Sequence, residues 1–519
     1  MFSLEEKIGQ LCMVGFHGLE APDYILEWLA SGRIGGVILF SRNIESPEQV
    51  AKLTQMCHQA AKHPILIGID QEGGSVARLQ KGFSQSPGAM ALGASGSEDL
   101  AFRVSKVLAT EMCALGINWD YAPVVDITHN ISNPSVGTRS LGTDKDQVSR
   151  LAAAEVRGFQ AGGVAACAKH FPGLGNTPID THEALAIIDT PLDFLWDNDL
   201  VPFRAAVKAG VKTVMVTHVT FEALDNQYPA TLSPVIASQL LREKIGFAGV
   251  TTTDCMEMKA ITSHYEPGDS AVLAALAGHD LILFSHTRSV QEAAFDGLLN
   301  AAHTGRLSIE QIDASVERIL ALKEQVAIKT PPDLSLIGSQ EHLQIMQEAA
   351  RAGITILRAD TDIFPLVPDS GKHIGIIEFA SYLESNAAES GGQTGFIARL
   401  SERLPRIDAV ALQSNNASPT SSADALLLAE RADILIVATR SAHLFPQQLE
   451  WASKYLVAAK QSILICLRNP YDVDVLPDAD TVICTCGDNA PSIQAVVDAL
   501  AGDYVPTGHL PVPVKLSLH

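Results

Sequence analysis

The sequence predicts an α/β chain in two parts. A (β/α)8 barrel of the TIM type occupies residues 1–330, a linker follows at 331–345, and a smaller α/β open-sheet domain (an αβα sandwich) covers 346–519. Three observations predict this. Eight short apolar runs, rich in β-branched residues, recur through the first 290 residues. Helical patterns separate most of them, as expected for parallel strands covered by helices. Polar and charged residues gather at the C-terminal ends of the runs, where a barrel carries its reactive rim. Periodicity alone leaves a doubly wound sheet as the alternative architecture.

The eight runs are Cys12–Phe16, Gly36–Phe40, Ile65–Asp70, Ile117–Val124, Val164–His170, Thr213–Val219, Gly249–Asp254 and Leu281–Ser285. Helices are expected at Ser46–Ala61, Asp99–Leu115, Asp146–Ala161 and Pro234–Lys244, and an amphipathic one at the N-terminus. A further helix over Ser308–Glu324 opens with a capping-box pattern at Ser308 and Gln311. Lys329-Thr330-Pro331-Pro332-Asp333 then breaks the pattern. Beyond it, apolar runs at Ile354–Leu357, Ile374–Phe379, Ile434–Thr439, Ile463–Leu467 and Thr481–Cys484 indicate an open parallel sheet. Ser414–Ser422, rich in Asn, Ser and Thr, reads as a surface loop.

With 519 residues the chain can bury more than one core, and 47% hydrophobic against 18% charged residues is a globular balance. Lys+Arg 37 against Asp+Glu 59 gives −22, which disfavours nucleic acid and anionic membranes as partners. No run approaches the ~18 apolar residues of a membrane span. Met1 to Lys7 lacks the basic and apolar regions of a signal peptide, so a cytoplasmic location is expected. The eight cysteines are sparse and read as buried free thiols. Cys484-Thr485-Cys486 has no second ligand pair at metal spacing, and the Gly73-Gly74 turn lacks a phosphate-cradling ending, so neither metal nor cofactor is expected. A monomer or homodimer is expected.

The chemistry concentrates at the run ends. Lys169-His170-Phe171-Pro172-Gly173-Leu174-Gly175 closes the fifth run, and Asp180-Thr181-His182 follows on the loop. An Asp two residues from a His can orient the ring and tune its proton affinity; a solvated turn is the plain alternative. Asp254 ends the seventh run and suits a nucleophile, a base, a metal ligand or a helix N-cap. Asp70 opens Asp70-Gln71-Glu72-Gly73-Gly74, whose glycines permit close approach or positive φ. Arg139 offers a guanidinium clamp. His218 is either a satisfied strand-end histidine or a rim residue, and Met256 stands two residues past Asp254.

Taken together these stretches resemble glycoside hydrolase family 3, and within it the β-N-acetylglucosaminidase branch, in a two-domain form. The matching stretches include Gly36–Phe40 with Arg42-Asn43, Asp70–Gly74, Ala122–Asp126, Lys169–Gly173, Asp180–His182, Val214–His218, Pro229–Ser233 and Thr253-Asp254 with Met256–Lys259. They run in order through nearly all of 1–330; the remainder resembles the family more loosely, chiefly at Gly508–Val512. The resemblance implies Asp254 as nucleophile, His182 as acid/base with Asp180 as its partner, and Asp70, Arg139, Lys169 and His170 as sugar binders, with His218 and Met256 added as candidates beside them. It implies a carbohydrate substrate carrying terminal N-acetylglucosamine, on an oligosaccharide or a peptidoglycan fragment. Other activities of the family, β-glucosidase or glycosyl phosphorylase, and a silent sugar-binding protein are the alternatives. Leu174 stands where the branch usually has His, Ser75 where it has Arg, and Thr181 where it has Ser.

Overall fold

The computed structural model describes residues 2–177, 184–328, 333–367, 371–380, 395–404, 407–413, 419–476 and 479–515. The eight expected runs of the first part form eight parallel strands: β1 (Cys12–Gly15), β2 (Gly36–Leu39), β3 (Leu66–Ile69), β4 (Trp119–Asp120), β5 (Cys167–Phe171), β6 (Thr213–Val216), β7 (Val250–Thr253) and β8 (Ile282–Phe284). Ladders join them in the order β8-β1-β2-β3-β4 and β5-β6-β7. Isolated parallel bridges Trp119–Ala165 and Val124–Lys169 link β4 to β5, and Thr252–Leu281 links β7 to β8. The two arcs thus meet at both seams, as a barrel requires.

β4 is much shorter than the run Ile117–Val124. Pro123 has no N–H to give to a ladder, and past Asp120 the regular pairing with β3 ends; contacts to β5 continue as single bonds, Cys167 N–H to Ala122 O at 2.7 Å and Lys169 N–H to Pro123 O at 3.2 Å. The sixth run is also divided. β6 ends at Val216, and Val219–Phe221 forms a separate strand beside Ala186–Ile188. His218 sits in the break between them. The helices lie where the sequence places them within a residue or so, as Pro47–Ala60, Glu98–Ala114, Lys145–Ala161 and Ile309–Gln325. The Ser308/Gln311 capping box is formed. Val235–Lys244 is wound as a wide π-type helix.

The second part is a six-stranded sheet: β9 (Thr355–Arg358), β10 (Ile374–Phe379), β11 (Ile407–Leu412), β12 (Ile434–Thr439), β13 (Ser462–Cys466) and β14 (Thr481–Cys484), in the order β9-β14-β13-β12-β10-β11. All pairs are parallel except β9 with β14, so the sheet is mixed at one edge. Successive residues of β12 feed two separate cores. Ile434, Ile436 and Ala438 pack on one face and Leu435 and Val437 on the other, the signature of a sheet covered on both sides. Residues 419–422 are not a surface loop but the first turn of helix Pro419–Arg431; Pro and Ser/Thr are well tolerated there because the first N–H groups have no helical partner.

The two parts pack together. Helix Gln340–Gly353 lies against Ala89–Ser95 of the first part and Ala490–Leu500 of the second. The Gly508–Val512 stretch returns to the barrel, where Thr143 N–H donates to Pro511 O at 3.0 Å and His509 N–H to Ala94 O at 2.9 Å. Among the described residues no helix is long and apolar enough to cross a membrane.

Candidate active site

A cavity of about 440 Å³ opens at the C-terminal ends of the barrel strands. Asp70, Arg139, Lys169, His170 and Asp254 all line it, joined by Glu72, Arg78, Tyr121, Leu174 and Cys255. Five of the residues singled out from the sequence are therefore gathered in one place. His218 and Met256 do not line the cavity. His218 is buried behind it, its Nδ1 2.7 Å from Thr231 Oγ1 and its Nε2 2.9 Å from Cys255 O. Met256 is buried, and its backbone N–H donates to Leu283 O at 2.8 Å. Asp180 and His182 lie outside the described residues.

Consecutive strand residues normally face opposite sides of a sheet, yet Lys169 and His170 both reach the cavity. The β5–β6 register is interrupted between Ala168 and Phe171, and such an irregularity re-aims side chains at a barrel rim. Past β3 the chain makes a hairpin, Gln71–Gly73 with Val76–Ala77, and its Gly73-Gly74 turn takes φ of 86° and 61°, the region glycine enters most readily. The hairpin carries Glu72 over the rim beside Asp70.

These residues form one charge network. Lys169 Nζ donates to Asp70 Oδ1 at 2.8 Å and sits 2.7 Å from Glu72 Oε1. Arg139 grips Glu72 through Nε at 2.8 Å and Nη2 at 2.7 Å, the bidentate geometry that makes guanidinium pairs strong. Arg78 Nη2 reaches Asp70 Oδ2 at 3.4 Å. Burial alone would raise the Glu72 carboxyl, but Arg139 and Lys169 outweigh it and hold it far below the ordinary range. Asp70 is lowered in the same contest, against burial, by Lys169 and Arg78. Burial works against charge on Lys169, yet Asp70 and Glu72 raise it above its ordinary value. All three are thus ionised at neutral pH.

His170 is held in one tautomer. Arg139 Nη2, a donor only, lies 3.2 Å from Nε2, so Nε2 accepts. Nδ1 then carries the proton and donates to Asp126 Oδ2 at 2.7 Å. The same buried Asp126 accepts the backbone N–H groups of His170 and Leu174 at 3.1 and 2.7 Å, which locks the Lys169–Leu174 corner. The Leu174 side chain supplies apolar wall to the cavity.

Asp254 follows β7, with its backbone N–H on Val216 O at 3.1 Å and its Oδ1 accepting Cys255 N–H at 2.7 Å. The neighbouring Cys255 thiol is pushed up to about 12 by burial, so it stays protonated and is no rival nucleophile. The Tyr121 hydroxyl is buried at the cavity with no hydrogen-bond partner among the described residues, and burial keeps the phenol neutral. A sugar hydroxyl would satisfy it. Among the described residues no three His, Cys, Asp or Glu side chains gather as a metal site.

Glu72, Arg78 and Tyr121 were not singled out as site residues from the sequence, and Asp126 entered only as the polar end of the stretch Ala122–Asp126. Glu72 carried a usable signal, its two-residue spacing from Asp70, which suits one face of an extended chain. Asp126 lies just past the run that carries Ala122-Pro123, but its role as the His170 anchor depends on the fold. Arg78 carried none.

Residues 3–322 match the glycosyl hydrolase family 3 N-terminal domain. The chain is 33% identical over 375 residues to β-hexosaminidase A of Pseudoalteromonas piscicida, covering 66% of this chain and 62% of that protein; it thus spans under two thirds of that relative's length. It is 29% identical to the β-N-acetylglucosaminidase/β-glucosidase of Cellulomonas fimi, over 98% of this chain and 93% of that one. A solved glycoside hydrolase family 3 β-N-acetylglucosaminidase from Paenibacillus sp. superimposes with a TM-score of 0.94 at 36% identity, covering 100% of both chains. With its barrel, its rim network and these likenesses, the chain belongs to glycosyl hydrolase family 3.

Proposed function

We propose that this chain is a retaining β-N-acetylglucosaminidase that removes terminal β-linked N-acetylglucosamine from oligosaccharides or peptidoglycan fragments. The observation that carries the reading is the presence of Asp254 in the same cavity as the Asp70–Glu72–Lys169–Arg139–His170 network. The network offers fixed donors and acceptors to sugar hydroxyls, and Asp254 offers an anchored carboxylate. The names of the relatives supply the N-acetyl preference.

In this reading Asp254 attacks the anomeric carbon and a glycosyl ester forms as the glycosidic C–O bond breaks. His182, oriented by Asp180, gives its proton to the leaving oxygen, then takes one from the water that cleaves the ester. The described residues that line the cavity all fall within 38–286, which supports placing both catalytic groups in the first part. The second part packs on the barrel and supplies no catalytic group. All eight cysteines are free thiols, which supports a reducing, cytoplasmic setting.

Turnover of a panel of 4-nitrophenyl β-glycosides, with and without phosphate, tests the proposal. Release of free N-acetylglucosamine from its own glycoside, well ahead of glucose from the glucoside, is expected. Preference for the glucoside, or a sugar phosphate as the main product, would overturn it.

A further inference from the structure

We infer that the Tyr121 hydroxyl is a specificity-determining group: it hydrogen-bonds one hydroxyl of the sugar held in the cavity and selects against sugars that lack it. The inference rests on the sugar-binding reading of this cavity proposed above.

Inside a (β/α)8 barrel the inward side chains of alternate strands stack in layers. Ile38 of β2, Met215 of β6 and Leu283 of β8 are buried, and all three line the cavity. Tyr121, immediately after β4, is buried and lines it too. The even-numbered strands thus each give one residue to a layer that floors the cavity. Three of the four are apolar, and Tyr121 brings a hydroxyl to that floor.

The ring is fixed without help from that hydroxyl. Tyr121 N–H donates to Ile69 O at 2.9 Å. Trp119, two residues back and so on the same side of the chain, lies with its ring centroid 4.5 Å away. Its indole is pinned across the barrel, Nε1 donating to Thr213 Oγ1 at 2.9 Å. On β3 a Cβ at Gly68 would stand 2.9 Å from Tyr121 Cε2, so the ring fills space that a glycine leaves open. Backbone and ring carbons make all of these contacts, and phenylalanine would keep them. The hydroxyl itself has no hydrogen-bond partner among the described residues. A buried hydroxyl left unmet is a net cost to the fold, and such local costs are kept where a site uses them. Burial first, then acidic neighbours that include Asp70 and Asp254, keep the phenol neutral. It can therefore both give and accept a bond, as a sugar hydroxyl requires.

The test measures wild type and Tyr121→Phe on 4-nitrophenyl β-N-acetylglucosaminide and on its 3-deoxy, 4-deoxy and 6-deoxy analogues. Tyr121→Phe is expected to lower kcat/KM on the parent glycoside by about 3- to 15-fold, the size of one neutral hydrogen bond. On one analogue the substitution should cost nothing further, because the bond is already missing; on the other two the losses should multiply. Thermal unfolding without sugar separates a substrate contact from a structural one. Tyr121→Phe should unfold at the wild-type temperature or above it, since it removes an unmet polar group. Unchanged kcat/KM on the parent, losses that multiply on all three analogues, or a clearly lowered unfolding temperature would each overturn the inference and leave the sugar-binding reading standing. If wild type does not turn over the parent glycoside at all, that reading falls and the role of Tyr121 with it.

Discussion

Replacing Glu72 by Gln removes the one carboxylate that both Arg139 and Lys169 share. The substitution keeps shape and takes away three short charge-assisted contacts, at 2.8, 2.7 and 2.7 Å. Lys169 retains Asp70 at 2.8 Å, whereas Arg139 keeps Ser135 O at 2.6 Å and the neutral His170. Breaking a buried ion pair by deleting one partner costs about 3–5 kcal/mol. The amide oxygen can still accept one bond, recovering about 1 kcal/mol, so Glu72→Gln should destabilise the barrel by about 2–4 kcal/mol near pH 7. The penalty has a defined pH dependence. The Glu72 carboxyl is depressed below its unfolded value of 4.5, so its contribution is fully present above that value and is lost as pH falls through the folded one. Denaturant titrations from pH 7.5 down to 3.5 should show a constant gap between the two proteins above about pH 5, narrowing below 4.5. A loss under about 1 kcal/mol, or a gap that stays constant into the acid range, would refute the reasoning.

Glu155 is the opposite case. Burial, then repulsion from Glu72 and Asp120, raises its carboxyl to about 8, so its folded form is mostly neutral at pH 7 while its unfolded form is charged. Glu155→Gln should therefore stabilise the protein by up to about 3 kcal/mol at pH 7, the gain vanishing below pH 4.5 and levelling off above pH 8; thermal or denaturant titration across that range checks it. His218 holds Cys255 O beside Asp254, and a small shift of a reacting group costs up to about 100-fold, so His218→Ala should depress kcat far more than it raises KM in steady-state assays. Asp180→Ala and His182→Ala should give losses that do not add in the double variant, measured on a substrate with a poor leaving group; additive losses would separate the two residues.

The barrel was legible because nearly every strand is a compact apolar run and some helices carry a start signal, such as the Ser308/Gln311 box. What escaped lay below that grain. The Gln71–Gly73/Val76–Ala77 hairpin has strands of three and two residues, too short for any period to show. β11 is a sheet-edge strand with exposed positions such as Asp408 and Ala409, so it lacks the continuous apolar run that betrayed β12 and β13. β4 was overdrawn because Pro123 sits inside an apolar run that composition cannot distinguish from strand. At the site, residues that project from strand ends or carry the family pattern were legible, namely Asp70, Lys169, His170, Arg139 and Asp254. The residues that hold them were not. Asp126 and Arg78 act on partners 44 and 8 positions away, and the placing of His218 behind the cavity follows from a break in β6 rather than from any local pattern.

The most direct test of the account is covalent trapping at Asp254. Incubation with an activated 2-deoxy-2-fluoro glycoside, whose slow deglycosylation lets the intermediate accumulate, should add one sugar to the intact chain, and peptide mapping should place it on Asp254. Asp254→Ala should take up no label while remaining folded. Attachment to another carboxylate, or turnover of N-acetylglucosaminides by folded Asp254→Ala at the wild-type rate, would contradict the account.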